Sequence, residues 1–134
     1  MIEPAPPPEF ALGPLDVFAS PAELVPHTGS VAGAAAERRV AMALLTATRY
    51  VLFKLGYSFA DEPIPADPAP LTVTPVAVRA SWHDACLIAA VRYWNSPSTP
   101  FGVTAGWDLA AYVRWSIPDA DLVLLGERQR WGIA

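Results

Sequence analysis

The uneven distribution of prolines sets the strongest limit on how this chain can fold. Of 15 prolines, seven fall within residues 1–29 and four within residues 61–70. Proline lacks an amide hydrogen and its ring clashes with the preceding turn, so these two stretches are excluded from helix interiors. Long helices are therefore predicted in the proline-poor intervals, residues 30–56 and 74–95.

Composition narrows the class of protein further. The 134 residues suit one domain, with 53% hydrophobic residues and 16% charged residues, against about 25% charged in typical soluble proteins. This balance excludes global disorder and predicts that a partner covers part of the surface. A net charge of −4 disfavours tight binding of free duplex DNA, because both the protein and the DNA are negatively charged. The uncharged runs are too short to cross a bilayer, so no membrane partner is expected.

The N-terminal part is predicted to be an extended, proline-rich arm over residues 1–19, with a single helical domain over residues 20–134. Ser20, Pro21 and Glu23 have the spacing of a capping box with proline at the first helical position. This pattern predicts a short helix from Pro21 to about Val25, which Pro26 would end.

The first long helix is predicted over residues 30–56, with Ser30 as its cap and Gly56 at its close. Residues 61–70, with four prolines and three acids, are expected to form a stiff extended spacer. A single apolar stripe of helical period supports the helix: Val40, Leu44, Ala47, Val51 and Leu55.

A second long helix is predicted to begin at Thr74-Pro75 and to end at about Asn95, before Ser96-Pro97. From Cys86 to Trp94 only Arg92 is charged. A helix that is apolar nearly all round is buried on most sides, and in a chain this small part of that burial is expected to come from another subunit.

The C-terminal third begins with a stretch whose secondary structure is ambiguous. Residues 97–115 are expected to form an extended loop or a β-hairpin arm, although residues 108–115 could instead form two helical turns. Pro118, Asp119 and Asp121 then predict the start of a last helix, because acids there favour the helix dipole. The predicted fold is thus mostly α, a small helical bundle with an arm.

Residue patterns for catalysis or ligand binding are weak. There is no phosphate-binding glycine loop and no nucleophile elbow. His27 and His83 lack metal-ligand spacing, and His83 and Asp84, adjacent on a helix, point about 100° apart. Cys86 is predicted to be an inert core thiol, and as the single cysteine it excludes an internal disulfide. No catalytic, cofactor-binding or metal-binding residues are predicted.

The five tryptophans favour assembly over catalysis. Trp82 and Trp94 occupy helical positions and are predicted to be core residues. Trp107, Trp115 and Trp131 lie in a glycine-containing loop, the arm and the tail. Tryptophan is enriched at the energetically dominant positions of protein interfaces, so these three are interpreted as interface anchors, with packing inside the domain as the alternative.

From Thr74 onward the sequence resembles the head-to-tail adaptor (head completion) proteins of long-tailed bacteriophages, especially those of actinobacterial hosts. The order of elements from about residue 15 also fits that family. The segments that carry the resemblance are Arg92-Tyr93-Trp94-Asn95-Ser96-Pro97, Pro100-Phe101-Gly102-Val103, Tyr112-Val113-Arg114, Pro118-Asp119-Ala120-Asp121 with Leu124-Leu125, and Arg130-Trp131-Gly132-Ile133-Ala134.

The resemblance implies a non-enzymatic virion subunit without cofactors. Such subunits form a dodecameric ring under the portal protein, extend the DNA channel, and dock the stopper or tail-completion protein. The protein is then expected at the neck of the virion, after synthesis in the host cytoplasm. DNA would pass through the lumen without specific binding, which an acidic subunit suits.

Specific residues follow from this interpretation. The arm would reach neighbouring subunits and the terminal segment would dock on the portal. The interface candidates are Phe101, Val103, Trp107, Tyr112, Trp115, Arg128, Arg130 and Trp131. The lumen-facing candidates are Asp61, Glu62 and Asp67.

Three alternatives remain open at the level of sequence. One is a sibling role in the neck, such as a stopper or tail-completion protein. Another is a helical protein-interaction module unrelated to virions. The third is a small hydrolase that uses His83 and Asp84.

Overall fold

The computed structural model describes residues 8–29, 33–60, 62–64, 70–95 and 117–128. Within them the chain is mostly helical, as the sequence predicts. The arm predicted at residues 97–115 lies outside the described residues. The elements in chain order are β1 (Asp16–Val17), α1 (Pro21–Thr28), α2 (Ala34–Leu55), β2 (Thr74–Pro75), α3 (Ala80–Asn95) and α4 (Pro118–Arg128).

Helix α1 begins as predicted but continues past its internal proline. The backbone N–H of Ser20 donates to Glu23 Oε1 at 3.0 Å, which completes the capping box. The expected end at Pro26 is wrong, because α1 runs to Thr28. Pro26 costs the helix one amide donor. The Thr28 hydroxyl donates to the Val25 carbonyl at 3.0 Å and closes the final turn.

Helix α2 ends where the sequence predicts, at a glycine in the left-handed conformation. Gly56 has φ 85° and ψ 17°, and its N–H donates to the Phe53 carbonyl at 3.1 Å. The Tyr57 N–H donates to the Leu52 carbonyl at 3.0 Å. The described part of α2 begins at Ala34, after Gly33 as N-cap, and the predicted cap Ser30 lies outside the described residues.

Replacing Gly56 with alanine is expected to lower the free energy of unfolding by about 1–2 kcal/mol, because a Cβ disfavours the left-handed region. Apart from Gly56, its two chain neighbours and the nearby backbone of α2, no heavy atom of the described residues lies within 4 Å of the position that a Cβ would take, so the cost is conformational rather than steric. Urea titration measures it. Gly56→Asn is the control, since asparagine tolerates this conformation and is expected to cost less. Equal losses for the two variants would contradict the explanation.

The helix start predicted at Thr74-Pro75 is wrong, since these residues form β2 and α3 begins only at Ala80. β2 pairs in parallel with β1. The N–H of Thr74 donates to the Leu15 carbonyl at 2.8 Å, and that of Val76 donates to Val17 at 2.7 Å. Pro75 stands between these two donors, at the position whose amide would face away from β1, so proline is tolerated there.

The described part of the predicted N-terminal arm packs on the helices. Glu9 forms a parallel bridge with Ser58, and the N–H of Phe10 donates to the Ser58 carbonyl at 2.7 Å. Residues 8–19 therefore belong to the folded domain, because they carry enough apolar surface to join the core. The buried members are Leu12, Val17, Phe18 and Ala19.

The centre of the domain is the contact between α2 and α3. Small side chains line it, which lets the two helices approach closely. Trp82 is buried, as predicted, whereas Trp94 is half-buried at the end of α3. The alanines of α2 and α3 with no exposed surface are Ala43, Ala47, Ala85, Ala89 and Ala90.

Candidate functional site

Two apolar grooves lie on different parts of the described surface. The first, called groove A, runs between α1, the N-terminal half of α2 and residues 70–73, with a volume of about 370 Å³. Val25 of α1 stands at its edge and is 37% exposed. Its lining is largely apolar, with Glu37 as the one charged member: Pro21, Val25, Glu37, Val40, Ala41, Pro70, Leu71, Thr72 and Val73.

The second, called groove B, lies between the end of α1, the last turns of α3 and the start of α4, with a volume of about 460 Å³. Asn95 and Ile117, the two described residues that flank residues 96–116, are both part of its wall. Its lining consists of His27, Ile88, Val91, Arg92, Asn95, Ile117, Pro118 and Asp119.

Leu122 extends the apolar surface of groove B along α4. It is 68% exposed, and Val25 and Leu122 are the large apolar side chains that the described surface exposes. Leu122 follows Asp119 by three residues, so the two are neighbours on one helix face. Groove B thus combines apolar with polar and charged lining residues and has an exposed leucine beside it, a mixture of residue types that protein interfaces also show.

Tyr50 positions the start of α4, and sequence reasoning did not identify it. Its ring is fully buried on α2, and its hydroxyl donates to Asp121 Oδ1 at 2.5 Å. The same hydroxyl accepts from the Ile117 N–H at 3.0 Å. Lys54 Nζ lies 3.7 Å from Asp121 Oδ2. Asp121 therefore anchors α4 to α2 besides lying near a helix N-terminus, where Asp119 stays exposed.

Arg39 holds the last turn of α3, which contributes residues to groove B. Its guanidinium lies 4.3 Å from the centre of the Trp94 ring, and Nη2 donates to the Trp94 carbonyl at 2.7 Å. The contact joins the first turns of α2 to the last turn of α3 by a cation–π interaction and a charge-assisted hydrogen bond. The last turn of α3, which carries Arg92 and Asn95 of groove B, is held in place by this contact.

A cluster of ionisable groups links α1 to α3. His83 Nδ1 lies 3.0 Å from Asp84 Oδ1, and Nε2 forms a short contact with Glu23 Oε2. Although adjacent helix positions point about 100° apart, the side chains of His83 and Asp84 turn towards each other and make contact. The carboxylates of Asp84 and then Glu23 raise the pKa of His83. The Ser20 N–H, followed by His83, lowers the pKa of Glu23.

Cys86 is fully buried against α2, so the predicted burial of its thiol is confirmed. Burial raises the pKa of Cys86 to about 11, while the Thr48 hydroxyl 3.5 Å away acts in the opposite direction. Such a thiol is a poor nucleophile at neutral pH. In the part of the chain that the structure describes, no group of three or more histidine, cysteine or acidic side chains is arranged to hold a metal ion.

Most of the sequence-predicted site residues lie beyond the described ranges, and their roles stay predictions. Glu62 is exposed, and its backbone carbonyl accepts from Arg49 Nη2 at 3.4 Å. Arg128 is the last residue of α4. The candidates outside the described residues are Asp61, Asp67, Phe101, Val103, Trp107, Tyr112, Trp115, Arg130 and Trp131.

No protein-family model, curated protein or solved structure matches this chain. Among the described helices, none combines the length and the hydrophobicity that crossing a membrane would require.

Proposed function

We propose that this chain is a structural subunit of a bacteriophage neck, a head-to-tail adaptor that assembles with its own copies into a ring under the portal protein. The observation that carries the proposal is the presence of two largely apolar grooves with different linings, together with the exposed apolar side chains of Val25 and Leu122. The resemblance of residues 74–134 to phage adaptor proteins supplies the place of this ring in the virion.

Two different surfaces are what a ring subunit needs. A two-fold dimer uses one self-complementary patch, whereas a cyclic ring joins one patch of each subunit to a different patch of the next. Both grooves include part of α1; groove A adds α2 and residues 70–73, whereas groove B adds α3 and α4. In the proposed ring, the surface around groove B, with Leu122, contacts the surface around groove A, with Val25, on the neighbouring copy.

The remaining partners follow from the same proposal. The ring would bind the portal protein on one side and a stopper or tail-completion protein on the other, at the neck of the virion. DNA would traverse the lumen without specific contacts, and a subunit with net charge −4 avoids tight binding of phosphate. The predicted ring contacts of residues 97–115 and of the C-terminal segment belong to this proposal, as do the lumen-facing acids.

The test is decoration of the portal. Purified chain is mixed with the portal protein of the same phage, and negative-stain images are averaged along the ring axis. The wild type is expected to add a closed ring of density to the portal. Leu122→Glu is expected to reduce occupancy at least about tenfold, because a charge would be buried in an apolar contact.

The matched control is Ala11→Glu, which adds the same charge at an exposed residue outside both grooves. This variant is expected to decorate the portal as the wild type does. A portal that stays bare with wild-type chain would contradict the proposed function. Equal occupancy for Leu122→Glu and wild type would contradict the assignment of groove B to the ring contact.

A further inference from the structure

The geometry of the Glu23, His83 and Asp84 cluster favours a doubly protonated imidazole. Each ring nitrogen of His83 faces a carboxylate oxygen, one on α1 and one on α3. A neutral imidazole has one N–H donor, whereas the imidazolium has two. Both carboxylates therefore receive a hydrogen bond only when His83 is charged. Loss of the proton leaves one ring nitrogen and one carboxylate oxygen facing each other as two acceptors.

Helix α1 is short and buries little surface, so its docking on α3 is sensitive to the contact between Glu23 and His83. The helix has 8 residues, and Leu24 is its one buried side chain. A helix this short is not stable by itself and relies on tertiary contacts. Its cap remains in place without His83, since the Ser20 N–H binds the other oxygen of Glu23, Oε1. The contact between Glu23 and His83 therefore stabilises the docking of α1 on α3 and is not needed for the helix cap.

We propose that Glu23, His83 and Asp84 form a pH-dependent latch, which holds α1 against α3 while His83 is protonated and weakens when His83 loses its proton. Among the described residues, Glu23 and Asp84 are the ionisable groups that act on His83, and both are acidic. The latch is a property of the single subunit, so its test does not depend on whether copies associate. Because Val25 and His27 are on α1, release would also change both grooves.

The direction of the pH dependence follows from the two shifts. The pKa of His83 is raised above its ordinary 6.5, so its contribution is complete below pH 6.5 and is lost as pH rises through the raised value. The pKa of Glu23 is lowered below its ordinary 4.5, so its contribution is complete above pH 4.5 and is lost as pH falls through the lowered value. The latch is therefore tightest between pH 4.5 and pH 6.5.

Hydrogen exchange of the full chain tests the latch. After correction for the intrinsic rate of exchange, α1 amides are expected to exchange about two- to fivefold faster at pH 9 than at pH 6, the range for a partly exposed ion pair. His83→Gln is expected to remove this pH dependence of the α1 amides and to leave the protection of the α2 amides unchanged. His27→Gln, at the other histidine, is the control and is expected to behave as the wild type.

A second variant separates the latch from a general loss of packing. Asp84→Asn leaves Glu23 as the one carboxylate on His83, so the loss of α1 protection is expected at a lower pH than in the wild type. Two results would overturn the proposal. One is α1 protection that does not change between pH 6 and pH 9 in the wild type. The other is the same pH dependence in His83→Gln as in the wild type.

Discussion

Replacing Phe18 with alanine is expected to lower the free energy of unfolding by about 3–5 kcal/mol, the range for truncation of a buried aromatic side chain. Phe18 is 2% exposed and packs edge-on against Phe10 and in a tilted arrangement against Trp82. Its N–H also donates to the Thr48 hydroxyl of α2 at 3.1 Å. The residue joins the N-terminal segment to both long helices, so its loss opens a cavity at their junction.

Urea unfolding followed by tryptophan fluorescence measures this loss. The matched control is Val25→Ala, which truncates an apolar side chain that is 37% exposed and is expected to change stability by less than about 1 kcal/mol. A loss below about 1 kcal/mol for Phe18→Ala would contradict the placement of residues 8–19 in the core. It would instead support the sequence-based view of residues 1–19 as an arm outside the domain.

Replacing Tyr50 with phenylalanine is expected to lower the free energy of unfolding by about 2–4 kcal/mol, although the ring is kept. The variant removes one hydroxyl that serves both the Ile117 N–H and the Asp121 carboxylate. A buried donor left without its partner costs about 1–3 kcal/mol, and hydrogen bonds to charged groups contribute about 1.5–3 kcal/mol. The loss is expected to be concentrated in α4, whose amides should lose protection first.

A double-mutant cycle isolates this interaction. Tyr50→Phe and Asp121→Asn are each expected to be destabilising, and together they should cost less than the sum of the two. Asp119→Asn provides the control, because this exposed acid lies two residues earlier in the same helix and should show no coupling with Tyr50. Strict additivity of Tyr50→Phe with Asp121→Asn would show that the hydroxyl does not hold α4.

The helices that the sequence predicts well are those with strong local signals. The apolar stripe from Val40 to Leu55 and the glycine at residue 56 define α2, and proline with acids at residues 118–121 defines the start of α4. The capping box at Ser20 likewise marks the start of α1. In each case the residues that form the signal lie within one turn or along one helix face, so no knowledge of distant residues is needed.

The strands were not predictable in the same way. Thr74-Pro75 has the residue types of a helix cap, and those types equally suit an edge strand whose proline faces away from its partner. The decision depends on Asp16–Val17, which lies 58 residues earlier and pairs with it in register. A two-residue parallel pairing leaves no periodic pattern, so the local signal favoured the wrong structure.

The candidate site was also predictable only in part. The low content of charged residues predicted that a partner covers part of the surface, but the position of each groove depends on how the four helices pack. Glu23 and His83 are 60 residues apart, so their contact is invisible to local spacing. Tyr50 had a usable signal, since a tyrosine beside a buried helical stripe needs a partner for its hydroxyl. The interface candidates between residues 97 and 115 stay predictions.

Analytical ultracentrifugation of two variants, each impaired in one of the two grooves, tests the head-to-tail contact between copies most directly when the variants are measured alone and mixed. Val25→Glu impairs the surface of groove A and Leu122→Glu impairs that of groove B. Each variant alone is expected to be monomeric. Their mixture is expected to form a dimer that cannot grow, because one intact groove A then meets one intact groove B. A mixture that stays monomeric while the wild type forms rings, or a wild type that is monomeric at every concentration, would contradict the account.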